Sequence, residues 1–452
     1  MPAANPLDPP STRKRRAPSN GPRPDFTQSA PLPARCAPQT PPRSQGAAAN
    51  FATQAQTSPL KLTTQSQTEA RATNTTAAEA KDRLRMDNYG YWVGPMPMKD
   101  FLEKFVPETN TKAPSHRYNT EGVKQEKDIY KILIAGMNAG KKNTVYVDTS
   151  NHADRRATRG NVMKPDISSY ARCIDLGDGR TQLDKAVLAV EDKLLLDLFD
   201  DKAIFGSFEP STDSKRSVSH GQILRYMEEI HCRQDREFSF FLFIDVEHFR
   251  IIRIDRDGFI VTERTKWADP TADVTNNALN EFLHRFDNMT AKQMGYDPTV
   301  CDAAEPDENI ARARQALKKV IPKDMKPKGK NSEMPIRKIG VPCAKTEAEG
   351  KLRWFYIYKP TSAARGIRGR ATRGYPAWDP VSDKIVFVKD CWRSDTGDVL
   401  KEADVIRELN EKGVEHAPTL ICGGDLPGQR TVTGDYVSAE WNKGQRKAHH
   451  PR

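Results

Sequence analysis

The chain has 452 residues, a formal net charge of +11 from 71 Lys and Arg against 60 Asp and Glu, and 37% hydrophobic residues. That length provides for two or three domains with real cores, while a mean hydropathy of −0.72 points to a substantial segment outside them. No apolar run approaches the roughly 20 residues that span a bilayer, and MPAANPLDPPSTRKRR at the amino terminus holds no apolar signal core, so neither a membrane partner nor a secretory route is expected.

Residues 1–84 are rich in Pro, Ala, Ser, Thr and Gln and lack periodic apolar positions. Such a segment buries too little surface to offset its ordering entropy, so a disordered tail is expected there. Within it Arg13-Lys14-Arg15-Arg16 has the composition of a nuclear import signal, and equally that of an ordinary basic cluster in a tail. Structure is expected from Asp87, where Tyr89, Tyr91 and Trp92 bring in aromatics. Helices are predicted around Phe101, Leu102 and Phe105 and over 121–137. The run GMNAGKKNT at 136–144 falls one residue short of P-loop spacing and places Lys142 where a Mg²⁺-binding hydroxyl belongs, so it reads as a helix end and loop.

Strand signals dominate the next stretch, at 166–173, 186–190, 238–244, 249–254 and 259–262. A helix over 217–232 interrupts them with Ile223, Tyr226, Met227 and Ile230 on one face, and another follows over 277–289. IDRDG at 254–258 reads as a hairpin turn. Together these predict a mixed α/β domain over 85–320. In a strand, Glu191 and Lys193 point to one face, and an adjacent strand can bring Asp166 beside them. Gln222 and Tyr226 lie one helical turn apart. The order Pro165-Asp166, then Glu191-x-Lys193, then Gln222-x-x-x-Tyr226 resembles the PD-(D/E)xK nuclease superfamily and its RecB-like branch. The resemblance implies that Asp166 and Glu191 bind Mg²⁺, that Lys193 helps activate water or stabilise charge, that Gln222 and Tyr226 support the lysine, and that DNA is the substrate. The plain structural alternative is a strand-entry turn for Asp166, a solvated edge pair for Glu191 and Lys193, and helix packing for Gln222 and Tyr226.

Residues 321–350, with several Pro and Lys, read as a linker preceded by a short helix over 310–320. From 351 a different pattern begins. A Gly/Arg loop at 369–374, GRATRG, precedes the apolar run Ile385, Val386, Phe387 and Val388, predicted to be a buried strand ending in Lys389. Ala403, Val405, Ile406 and Leu409 at helical spacing place Glu402 in the first turn of a helix. Residues 416–421 read as a loop and strand.

The segments GRATRGY, VKDCWR, EADVIREL and APTLICGGD, with HGQILRYMEEIHCRQDREFSFFLFIDVEHFRIIRIDRDGFIVTE and FLHRFDNMTAKQMGYDPTV upstream, resemble the fungal-type protein kinase family. In those terms 351–452 is a kinase-like small lobe. Gly369, Arg370, Ala371, Arg373 and Gly374 would form the nucleotide loop, Lys389 would contact the α- and β-phosphates, and Glu402 would steady Lys389. Ala371 stands where the pattern has its second glycine, so a Cβ obstructs backbone approach, and Arg370 and Arg373 would partly replace it. The resemblance implies ATP and Mg²⁺ as cofactors and a protein hydroxyl as phosphate acceptor. The chain ends at Arg452 without the HRD and DFG segments of a catalytic lobe, so it is expected to be an incomplete or inactive kinase. The whole reads as an α/β (α+β) protein of tail, nuclease-like domain and truncated small lobe, with a Mg²⁺-dependent nuclease or a non-catalytic scaffold as the other functions. Seven cysteines standing singly, with no C-x-x-C, fit a reducing compartment, cytoplasm or nucleus. The net charge admits a nucleic-acid partner and is met as well by a solvated basic surface.

Overall fold

The computed structural model describes residues 77–154, 163–177, 181–194, 197–211, 214–268, 276–327, 333–343, 352–395 and 399–444. The basic cluster at residues 13–16 and most of the expected tail lie outside the described residues. Among the described residues there are seven α-helices and fourteen strands in chain order: α1 (Ala77–Asn88), β1 (Trp92–Met96), α2 (Met98–Phe105), α3 (Glu126–Asn138), β2 (Thr144–Asp148), β3 (Ile167–Ala171), β4 (Ala186–Asp192), α4 (Ser214–Arg233), β5 (Phe238–Ile244), β6 (His248–Asp255), β7 (Phe259–Thr262), β8 (Thr265–Lys266), α5 (Ala278–Asp287), β9 (Val300–Asp302), α6 (Asn309–Val320), β10 (Arg337–Pro342), β11 (Leu352–Ile357), β12 (Ser362–Ala363), β13 (Arg373–Asp379), β14 (Lys384–Asp390) and α7 (Glu402–Glu411).

The first sheet has the order β1-β7-β6-β5-β4-β3-β2, with β8 on β6. Strands β1 and β7 pair in parallel, as do β4 and β5, and the other pairs are antiparallel. FSFFLFI in β5 is apolar on both faces because the strand is covered on both. Phe240, Leu242 and Ile244 meet α3 and α5 through Ile129, Leu133, Leu279, Phe282 and Phe286. Phe241 and Phe243 face Ile223, Tyr226, Met227 and Ile230 of α4. The result is a sheet between two helical layers. Local signals support the helix starts. Gln125 N–H donates to Asp128 Oδ2 at 3.2 Å before α3, and the Asn277 side chain accepts from the N–H groups of Leu279 and Asn280 before α5.

The second sheet has the order β12-β13-β11-β10-β9, with β14 on β13. Helix α6 covers one face, placing Ile310, Ala313 and Leu317 against Tyr356 and Trp378. The other face carries Ile339, Phe355, Ile357, Tyr375, Ala377 and Val388. Among the described residues no helix is long and apolar enough to cross a membrane.

Four expectations need correction. Residues 77–84, assigned to the tail, belong to α1, whose Leu84 is buried against the α4 side of the first sheet. The expected linker contains β10, in which Ile339 and Gly340 are buried between β9 and β11; its prolines masked a short strand. The run at 385–388 is not a buried strand: Val388 alone is buried, while Ile385 and Phe387 are exposed, because β14 pairs on one edge and packs on one face. No strand forms at 416–421, where His416 has φ +64°. The turn at Asp255 is a hairpin as expected, its Oδ1 accepting from the N–H groups of Asp257 and Gly258.

Candidate functional sites

Two clusters of charge collect the residues singled out in sequence. The first is built by α3-β2-β3-β4-α4-β5. Asp166 enters β3, Glu191 is the next-to-last residue of the fully buried β4, and the antiparallel register pairs Ile167 with Val190, which sets the two carboxylates side by side. Lys193 follows on the same face as Glu191. Its Nζ lies 2.8 Å from Glu191 Oε1, 3.6 Å from Asp166 Oδ2 and 4.0 Å from Glu126 Oε2, and donates to the Asp192 carbonyl at 2.7 Å. Asp166 Oδ1 accepts from Tyr130 of α3 at 2.7 Å, and its Oδ2 accepts from the Asp192 N–H at 2.9 Å. Gln222 donates to the Tyr226 hydroxyl at 2.8 Å, and that hydroxyl donates to the Lys164 carbonyl at 2.9 Å, just before Pro165. All five residues of the sequence pattern therefore meet in one place. The edge-pair reading fails, since Glu191 is fully buried.

Burial dominates the electrostatics of this cluster. Removal from water, with repulsion from Asp166, pushes the Glu191 carboxyl up to about 8 against the pull of Lys193. Asp192 is pushed up to about 9 by burial and then by Asp166 and Glu126, and neither of its Oδ atoms has a hydrogen-bond partner among the described residues. Burial alone would lower Lys193, yet Glu191 and Asp166 outweigh it and the ammonium is held above its usual range. Lys193 thus sits where three oxygens converge, those of Asp166, Glu191 and the Asp192 carbonyl. Hard oxygens of this kind suit a small divalent cation that keeps several of its waters. Among the described residues no group of three or more His, Cys, Asp or Glu side chains is arranged to hold a metal ion, so the two carboxylates and one carbonyl form a partial shell. Glu126, Tyr130 and Asp192 were not singled out in sequence. They come from a helix and a strand whose spacing says only that they are amphipathic or buried.

The second cluster lies on the second sheet. Lys389, near the end of β14, faces Gly374 across the β13–β14 pair. Its Nζ donates to both oxygens of Glu402 in the first turn of α7, at 2.7 and 2.6 Å. The guanidinium of Arg370 lies 3.7 Å from the same carboxylate, and the Arg370 carbonyl accepts from Trp392 N–H at 2.8 Å. The three side chains remain open to solvent, at 37% exposure for Lys389, 46% for Glu402 and 52% for Arg370.

The remaining loop residues make contacts of their own. Gly369 has φ +88° and donates its N–H to the Arg256 carbonyl at 2.9 Å; Ala371 has φ +44°. A Cβ on Gly374 would meet the tip of the exposed Phe387 ring and Ser362 Oγ, both at 2.5 Å, so any side chain here would have to displace them. Arg373 is buried, and pairs with Asp235 while donating to the carbonyls of His231 and Gln234 at 2.6 and 2.8 Å. That leaves Arg370 as the loop arginine beside Lys389.

Residues 200–447, more than half of the chain, match the family model for fungal protein kinases. No curated protein and no solved structure matches the chain.

Proposed function

Because the chain belongs to the fungal protein kinase family, we propose that the Lys389–Glu402 pair is a nucleotide-phosphate site and that the family's reaction is transfer of the γ-phosphoryl group of ATP to a protein hydroxyl. The observation that carries this is the ion pair itself. An exposed Lys–Glu pair contributes only about 0–1 kcal/mol to folding, so its two-point geometry has little structural reason. For phosphate binding it has one: a carboxylate that holds an ammonium in place lowers the cost of aiming it at an anion. Arg370 adds a second cation on the same side. Mg²⁺ would accompany ATP and offset its phosphate charge, and among the described residues no group of three or more acidic, His or Cys side chains is arranged to hold it. Calorimetric titration of Mg·ATP into the full chain tests the reading. Binding that falls at least tenfold in Lys389→Ala supports it, and equal affinity of the two proteins refutes it.

A second reading is favoured by the convergence of Asp166, Glu191 and Lys193 in a buried site. It is divalent-cation-dependent cleavage of a phosphodiester, with DNA as the substrate class. Asp166 and Glu191 would hold the cation, which would supply a polarised water, and Lys193 would face the developing negative charge. Gln222 and Tyr226 keep the entry to β3 fixed through the Lys164 carbonyl. Cleavage of plasmid DNA in Mn²⁺ or Mg²⁺ that disappears in Lys193→Ala supports this reading. Absence of cleavage by the wild-type chain in both metals removes it, and failure of both tests leaves a scaffold.

A further inference from the structure

The segment between β12 and β13 is fixed from outside itself. Ile367 is buried among the core residues on the α4 side of the first sheet. Arg256, in the β6–β7 turn, donates to the carbonyls of Gly366 and Ile367 at 3.1 and 2.9 Å and accepts from the Gly369 N–H. Arg365 donates to Glu229 of α4 at 2.6 Å, and Arg368 lies 3.1 Å over the Tyr91 ring. A second anchor follows at Arg373. Its guanidinium pairs with Asp235, two residues past α4, and caps the carbonyls of His231 and Gln234, where the helix end favours a cation. Asp235 also receives Arg337 of β10 and, at 3.4 Å, the hydroxyl of Tyr375. One carboxylate thus ties two strands of the second sheet to the end of α4.

Only residues 370–372 lie between the anchors. They hold Arg370 and the positive-φ Ala371, a backbone state that costs on the order of 1 kcal/mol or more and persists where the surroundings dictate it. Downstream, Arg373 faces Asp390 across the β13–β14 pair and Gly374 faces Lys389. The path from Asp235 to Lys389 is therefore one ion pair to Arg373, one residue along β13 to Gly374, and one rung of the sheet.

We propose that Asp235 is a positioning residue of the phosphate site: through Arg373 it sets the seat of β13, and with it the distance between Arg370 and the Lys389–Glu402 pair. This rests on the nucleotide reading above. Asp235 touches no nucleotide. It replaces the flexibility of a glycine-rich loop with a loop whose shape is imposed by the α/β layer, which accounts for a loop that has Ala371 in place of a glycine.

The test uses the full chain and the dissociation constant for Mg·ATP, measured by calorimetry on the wild type, Asp235→Asn, Asp235→Glu, Arg373→Lys and Lys389→Ala. Asp235→Asn is expected to weaken binding about tenfold, equivalent to about 1.4 kcal/mol. Asp235→Glu, which restores the charge, is expected to recover most of the loss, and a role in bulk stability alone would not give that rescue in folded protein. If Asp235→Asn does not fold, Arg373→Lys carries the test, since it keeps a charge but loses the helix-capping contacts. A folded Asp235→Asn or Arg373→Lys with wild-type affinity overturns the proposal, and the nucleotide reading survives if Lys389→Ala has lost binding. No binding by the wild type overturns both.

Discussion

The two charged clusters differ most in their contact with water, and that difference separates what an ion pair does for folding from what it does for chemistry. Around the first sheet, charges are enclosed. Arg250 is 1% exposed, clasps Asp197 through two bonds of 2.9 and 2.6 Å, and reaches Asp201 at 2.7 Å; Glu191 and Asp192 have no exposure at all. Charges taken out of water at that cost are paired or shift their proton affinity, and both outcomes occur. On the second sheet Lys389 and Glu402 meet in the open, where the same contact distance contributes little. Short distances therefore mean different things in the two places.

The contrast is broken most forcefully at Arg250. Replacement by Met removes the bidentate partner of the largely buried Asp197 and one partner of Asp201, and a loss of about 3 kcal/mol in urea unfolding is expected. Glu402→Ala is expected to cost about 1 kcal/mol or less in the same assay. Comparable losses for the two variants would remove the distinction.

A smaller effect sharpens the contrast through pH. The Glu237 carboxyl is raised from 4.5 to about 7 by burial and by Asp297, against Lys292 and Arg253. Asp390 is raised from 3.8 to about 6 by burial, with Asp297 and Asp235 adding to it and Arg373 and Arg256 opposing. The native state keeps these protons where the unfolded chain has lost them. Their contribution is thus full below about pH 4, declines as pH rises, and is gone above about pH 7. Thermal unfolding across that window should show Glu237→Gln with a shallower decline than the wild type. An unchanged slope would mean that Glu237 is ionised in the fold.

The smallest effect belongs to the exposed face of β14. Ile385→Ser, at a side chain 39% exposed, should change the unfolding free energy by about 0.5 kcal/mol or less. A larger loss would mean that this face is covered.

Much of the first sheet was legible because its strands carry dense apolar runs: β5 and β7 begin and end at the predicted residues, and α4 and α5 lie within a few residues of expectation. The five residues of the carboxylate cluster were legible as a pattern because strand and helix periodicity fix which side chains share a face. Glu126 and Tyr130 were not, since nothing in the spacing of α3 says which strand end it covers. Lys389 and Glu402 were legible as a strand end and a helix start. The enclosure of Arg373 was hidden, because a run of arginines reads as solvated until Asp235 and the end of α4 are known to lie behind it. β10 was obscured by the prolines around it, and α1 by a composition continuous with the tail.

The central claim is that the Lys389–Glu402 pair exists for a ligand and not for the fold. Thermal unfolding of the wild type, Lys389→Ala and Glu402→Gln, each with and without Mg·ATP, tests it most directly. The account predicts nearly equal midpoints for the three proteins alone, a ligand-induced rise in the wild type of about 2.7 kcal/mol at a hundredfold excess over its dissociation constant, and a rise at least about 1.3 kcal/mol smaller in each variant. Variants that lose stability without ligand, or that gain as much from Mg·ATP as the wild type does, would contradict it.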